Sequence, residues 1–152
     1  MVTYRRITTA DPEYKLEKDL RNRVLRVPLG LTLSATDVQG EDAQMHIVAM
    51  DEGGRMVGCV LLVFPGDGTA RVRHVAVEPH CRRTGIGAGM MEQAENAARE
   101  KGVRKITMHA RLYARGFYER LGYRAASDIF TEVTIPHISM EKTLEEDIPQ
   151  GG

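Results

Sequence analysis

A chain of 152 residues, 42% hydrophobic and 28% charged, has the makeup of one soluble globular domain with one core. Its 21 basic and 21 acidic residues cancel, which argues against a dedicated nucleic-acid binder, whose footprint is net basic. Two cysteines are too few for a disulfide scaffold and no spacing suggests a metal site. The longest apolar run, Val60 to Phe64, is far too short to cross a bilayer, and Met1 to Thr9 holds no signal-peptide core, so the expected home is a reducing cytoplasm.

In chain order, Val2 to Thr8 reads as a short strand. Asp11-Pro12 opens a helix, with Pro at its first position, and Leu16, Leu20, Val24 and Val27 recur as its apolar face until Pro28 stops it. Leu29 to Gly40 carries little pattern and reads as a loop. Gln44 to Met50 and Arg55 to Phe64 read as strands joined by a turn at Glu52-Gly53-Gly54, and Cys59 within the second is a core residue. Thr69 to Val77 is a third strand, in which Arg71, Arg73 and His74 interrupt apolar positions. A glycine-rich turn leads to a helix from about Ile86 to Lys101, whose apolar face is Ile86, Met90, Ala94, Ala97 and Ala98 and whose cap is Gly102. Val103 to Ala110 is a strand, Tyr113 to Leu121 a short helix closed by Gly122, and Glu132 to Thr143 a final long strand. The order β-α-β-β-β-α-β-α-β predicts an α+β fold, a mixed, mostly antiparallel sheet covered by helices, over residues 1–144. Residues 145–152, acidic and then Pro/Gly-rich, read as a flexible tail.

The segment Val75-Ala76-Val77-Glu78-Pro79-His80-Cys81-Arg82-Arg83-Thr84-Gly85-Ile86-Gly87 carries most chemical information. A strand ends, the chain turns through glycines, and a helix begins. Helix N-termini offer unpaired N–H groups, glycines allow close backbone approach, and Arg82 and Arg83 add charge, so the segment predicts a phosphate or pyrophosphate site. A Walker loop needs Gly-Lys-Ser/Thr, which Gly87-Ala88-Gly89 does not supply. A dinucleotide fingerprint needs a glycine where Met90 stands and an acid near Lys105, and has neither. The spacing Arg82-x-x-Gly85-x-Gly87 fits a third pattern, the CoA pyrophosphate loop Arg/Gln-x-x-Gly-x-Gly/Ala; a bland strand-to-helix connection is the plain alternative.

Downstream runs Ala114-Arg115-Gly116-Phe117-Tyr118-Glu119-Arg120-Leu121-Gly122-Tyr123. Taken with the Arg82-to-Gly87 loop in this order, it resembles the GNAT superfamily of N-acetyltransferases, over nearly the whole chain. The segments Arg23 to Gly30, Phe130 to Glu132 and Ile135 to Met140 look like a bacterial branch of that superfamily. The resemblance implies acetyl-CoA as acyl donor, gripped in a gap between the strands near Val75 and His109. Val75, Ala76 and Val77 would meet the pantetheine arm, and Arg82, Arg83, Thr84, Gly85, Ile86, Gly87 and Ala88 the phosphates. It implies direct attack by a primary amine, with Tyr118 protonating the departing thiolate; the plain alternative for Tyr118 is a core aromatic.

For the general base the candidates are His74, Glu78, His109, Glu132 and His137. His74 lies on the strand nearest the thioester, while Glu132 and His137 belong to the branch-like ending. Arg111 stands where the family usually has Asn or Gln, which puts a cofactor or substrate contact in doubt. The basic group Arg71, Arg73, His80, Arg82 and Arg83 reads as a solvated face or, in part, as the partner of a cofactor with three phosphates, which accounts for it better than nucleic acid does. Cys81 lacks a histidine–acid partner set and is not expected to be a nucleophile. A small-molecule amine is the expected partner, and the Glu132–Thr143 strand is expected to offer an edge for a homodimer. The rival reading is a non-catalytic acyl-CoA-binding sensor or scaffold, which needs only the CoA half of the site.

Overall fold

The computed structural model describes residues 1–144; the expected tail at 145–152 lies outside them. Among the described residues eight strands and three α-helices form a mixed, mostly antiparallel α+β fold. Their order is β1 (Thr3–Ile7), α1 (Glu13–Arg21), β2 (Met45–Met50), β3 (Met56–Val63), β4 (Thr69–Val77), α2 (Ile86–Glu100), β5 (Lys105–Arg111), α3 (Arg115–Arg120), β6 (Arg124–Ala125), β7 (Phe130–Glu132) and β8 (Ile135–Thr143). The expected order thus holds, with β6 and β7 as additions. The described residues fall into two compact units, 1–63 with 72–94 and 64–71 with those from 95 on, so that β4 and α2 each run through both.

In the first unit β1, β2 and β3 form an antiparallel meander, and β4 lies beside β3. Ile7, Leu20, Val24, Leu25, Val48, Met56, Cys59 and Ala76 make its apolar cluster. β3 is buried along nearly its whole length, as its continuous apolar run requires. Burial pushes the Cys59 thiol well above its ordinary range, so it packs as an inert apolar group.

The first helix departs from expectation. Leu16 is 45% exposed and Val27 52% exposed, while Glu17 and Arg21 are fully buried beside Leu20. After Arg21 the chain widens into a π-helical turn, Asn22–Arg26, and then tightens into a 3-10 turn, Val27–Leu29. The wide turn breaks the 3.6-residue period and buries Val24, Leu25 and Arg26 in succession.

In the second unit β5 pairs antiparallel with β8, and β6 and β7 pair antiparallel with β8 on its other side. The expected long strand from Glu132 to Thr143 is therefore a hairpin, with a turn at Val133-Thr134. Both turn residues have left-handed φ, 43° and 70°, the conformation that lets a two-residue turn match strand twist. Neither is the Gly or Asn that normally marks such a turn, so the sequence hid it. Because β8 is flanked on both sides, it offers no open edge, and the expected dimer through that edge loses its physical basis. Helix α2 buries Ile86, Met90, Ala94, Ala97 and Ala98 as expected. Gly102, at φ 73°, ends it as a left-handed cap, with the Val103 N–H donating to Ala98 O at 3.0 Å.

Candidate active site

In the first unit, β4 leaves its regular extended path at His74, whose φ is +53°. A non-glycine residue in this region costs energy and re-aims the neighbouring backbone groups, as a bulge does. The His74 carbonyl accepts the Cys59 thiol at 3.5 Å, and beyond it Ala76 is buried while Val75 and Val77 are half-buried. A 3-10 turn over Pro79–Cys81 follows, and the Thr84 hydroxyl donates to the Cys81 carbonyl. Arg83 (φ 66°) and Gly85 (φ 87°) are both left-handed, which folds the loop tightly onto the start of α2.

The Gly89 N–H donates to Gly85 O at 2.9 Å, the first helical bond. The amides of Ile86, Gly87 and Ala88 precede it and have no acceptor within the helix. No acidic residue stands in this first turn, and Arg82, Arg83 and Thr84 are exposed. A Cβ on Gly85 would meet nothing within 4 Å, so space is open on that side. A 15-residue helix start with free donors, two adjacent cations and open space fits a pyrophosphate. Glu78, a base candidate, is otherwise engaged: Arg23 Nη2 lies 2.7 Å from its Oε1.

In the second unit the branch-like ending folds onto β5. Glu132, His137 and His109 come together, as does Arg71 from the first residues of β4. Glu132 Oε1 lies 2.9 Å from His109 Nδ1, and Glu132 Oε2 lies 3.7 Å from His137 Nε2. Arg71 Nη2 lies 3.2 Å from the same His109 Nδ1. Phe130 stacks on His137 at 6.1 Å and meets His109 edge-on at 5.0 Å. Sequence reasoning placed Glu132 and His137 in one set and held His109 as a candidate. It left Arg71 in a basic group of which phosphates would take only a part, whereas the structure places Arg71 on His109, and it gave Phe130 no role. Alternation held the missing signal, for Arg71 on β4 and His109 on β5 both sit at outward positions between buried residues.

Tyr118, on α3, is 6% exposed, with Phe117 and Tyr123 edge-on to its ring. Burial, with a smaller contribution from Tyr113, pushes its phenol well above the ordinary range, so it keeps its proton at neutral pH. Behind it the Tyr123 hydroxyl donates to Glu95 Oε2 at 3.0 Å, and Lys142 Nζ donates to Glu95 Oε1 and to Leu121 O, both at 2.8 Å.

The model of the acetyltransferase (GNAT) domain family matches residues 33–144. This chain belongs to the GNAT acetyltransferase family. Its relatives include two Bacillus subtilis proteins. The uncharacterized protein YyaT is 32% identical over 80 residues, 53% of this chain and 54% of that protein. The uncharacterized N-acetyltransferase YjcF is 32% identical over 103 residues, 67% of this chain and 72% of that protein. The match thus spans little more than half the length of YyaT. An acyl-CoA N-acyltransferase from Pseudomonas aeruginosa shares the fold, with a TM-score of 0.79 at 24% identity over 93% of this chain and 99% of that one. Among the described residues no helix of this GNAT chain is long and apolar enough to cross a membrane.

Proposed function

We propose that this chain is an N-acetyltransferase that moves the acetyl group of acetyl-CoA directly to a primary amine, most simply a small molecule. The observation that carries the reading is the Arg82–Ala88 loop. It opens a helix with free donors, adjacent cations and no acid in the first turn, inside a domain of the acetyltransferase family. Residues 1–144 act as one domain, because β4 and α2 each run through both compact units.

Acetyl-CoA supplies the activated acetyl thioester. Arg82, Arg83, Thr84, Gly85, Ile86, Gly87 and Ala88 hold its phosphates through main-chain N–H groups and the two guanidinium charges. Main-chain groups of Val75, Ala76 and Val77 take the pantetheine arm. Tyr118, kept protonated by burial, gives its proton to the leaving thiolate. Of the acid–base set His74, Glu132 and His137, the last two share a cluster with His109, and there we place the proton acceptor. Free Cys59 and Cys81 suit a reducing cytoplasm.

A CoA-release screen of an amine library tests this. One or more amines should discharge acetyl-CoA, and Tyr118→Phe should lower kcat by roughly 10²-fold while acetyl-CoA affinity stays within a few-fold. Tight acetyl-CoA binding with no amine discharged above the buffer rate would overturn the reading in favour of a sensor or scaffold.

A further inference from the structure

The acetyl-transfer reading needs a group that takes the amine's proton, and the tautomer logic at His109 names it. His109 stands on β5, opposite Ser139 of β8, with its side chain 36% exposed. Its Nδ1 faces two neighbours at once, Glu132 Oε1 at 2.9 Å and Arg71 Nη2 at 3.2 Å. One ring nitrogen carries either a hydrogen or a lone pair, so it bonds only one of them. A hydrogen there donates to the carboxylate; a lone pair accepts from the guanidinium. The carboxylate contact is the shorter, and the second choice would leave Glu132 without its imidazole donor.

We propose that His109 is the general base of the transfer and that Glu132 is its positioning residue. Glu132 accepts the Nδ1 hydrogen, which leaves the lone pair on Nε2. Among the described residues Nε2 makes no hydrogen bond, so it is open to an incoming ammonium. Phe130, edge-on, fixes the ring plane. Among the described residues the charged or titratable groups that meet in this cluster are Arg71 from β4, Glu132 from β7 and His137 from β8. Glu132 and Arg71 set opposite charges against the same ring nitrogen, 2.9 and 3.2 Å away. His137 is differently placed. It is 3% exposed, and its Nδ1 donates to Ile135 O at 3.0 Å. Its Nε2 lies 3.7 Å from Glu132, beyond hydrogen-bond range.

The step balances. The ammonium gives one proton to Nε2, which passes it to solvent. The freed nitrogen lone pair forms the C–N bond to the acetyl carbonyl carbon, and the C–S bond breaks with its pair on sulfur. Tyr118 protonates that sulfur and is refilled by the second proton leaving nitrogen. The sum is one amide, one thiol and one released proton.

Two measurements test the proposal. Long-range ¹H–¹⁵N spectra of the histidine rings, recorded on the neutral form, should show His109 with its hydrogen on Nδ1. Glu132→Ala should let Arg71 take Nδ1 and move the hydrogen to Nε2. A wild-type ring protonated on Nε2 overturns the proposal without reference to any substrate. With an amine from the screen, His109→Gln should lower kcat/KM at neutral pH by roughly 10²-fold and abolish its decline toward acid pH. Acetyl-CoA affinity and the thermal midpoint should hold, and Tyr118→Phe should retain that decline. An active wild type matched by His109→Gln at every pH removes the base alone. A wild type that binds acetyl-CoA but acetylates no amine removes the transfer reading and the base together.

Discussion

Two glycines two positions apart at the start of helix α2 do different jobs, Gly87 in the proposed phosphate loop and Gly89 against Tyr4 of β1. A Cβ on Gly89 would land on the Tyr4 hydroxyl and within 2.6 Å of its ring Cζ. The Tyr4 hydroxyl in turn donates to Ile86 O at 3.4 Å, so strand β1 and the first turn of α2 are in direct contact. Gly89→Ala should gain about 1 kcal/mol of helix propensity but lose more to overpacking, which commonly costs about 1–3 kcal/mol. Its denaturation midpoint should fall, and much of the loss should return in a Tyr4→Ala background, since the two residues share the contact. Gly85→Ala meets no neighbour but is left-handed at φ 87°, so it should lose roughly 1–2 kcal/mol whatever stands at position 4. Equal behaviour of the two variants in both backgrounds would remove this distinction. A pattern search groups these glycines together; only packing separates them.

Helix α1 is held from beneath by charge. Arg21 bonds Glu41 through both terminal nitrogens, at 2.7 and 2.6 Å, and Glu17 at 3.2 Å, and all three side chains are buried. Tyr14 donates to Glu41 at 2.8 Å and lies edge-on to the His46 ring. His46 Nδ1 faces Glu17 Oε1 at 2.8 Å and its Nε2 faces the Glu41 carbonyl at 2.8 Å. Both partners are acceptors, so the ring carries two hydrogens and the four charges cancel. Burial alone would lower the His46 pKa, but its bonds to Glu17 and to the Glu41 carbonyl outweigh that and raise it above 6.5. Burial would raise the Glu41 pKa, and Arg21 overrides it and holds it below 4.5. The signs are opposite. The His46 contribution is complete below about pH 6.5 and is lost as pH rises through the raised folded value. The Glu41 contribution is complete above about pH 4.5 and is lost as pH falls through the lowered one. The thermal midpoint should therefore peak between these limits, and His46→Gln should flatten its alkaline decline; an unchanged decline would contradict the assignment. Arg21→Met strands two buried carboxylates and should cost about 3–5 kcal/mol, read from urea unfolding.

Across the whole chain, regular apolar spacing was the legible part: β2, β3, β4 and α2 fall within a residue or two of their sequence-read bounds. Buried charge was illegible, because Glu17 and Arg21 look like a solvent face until Glu41 and His46 are known to meet them. The hairpin at Val133-Thr134 was illegible for want of a glycine, and with it the position of Glu132 against His109. The phosphate loop was read from chemistry rather than period, and its decisive test uses the molecule's charge balance. With 21 charges of each sign the chain has no net field to attract an anion, so acetyl-CoA must be drawn by local groups. At a hundred times its dissociation constant the ligand should stabilise the fold by roughly 2.7 kcal/mol. For a chain of this size that raises the thermal midpoint by roughly 5–11 °C, and high salt should shrink the rise by screening Arg82 and Arg83. Gly87→Glu puts a side chain and a negative charge at the helix start, where the proposed pyrophosphate sits. It should weaken acetyl-CoA binding at least tenfold by calorimetry and erase the shift at the same ligand concentration, while the ligand-free midpoint changes little. A folded Gly87→Glu protein that keeps both the affinity and the shift would move the phosphates away from this loop.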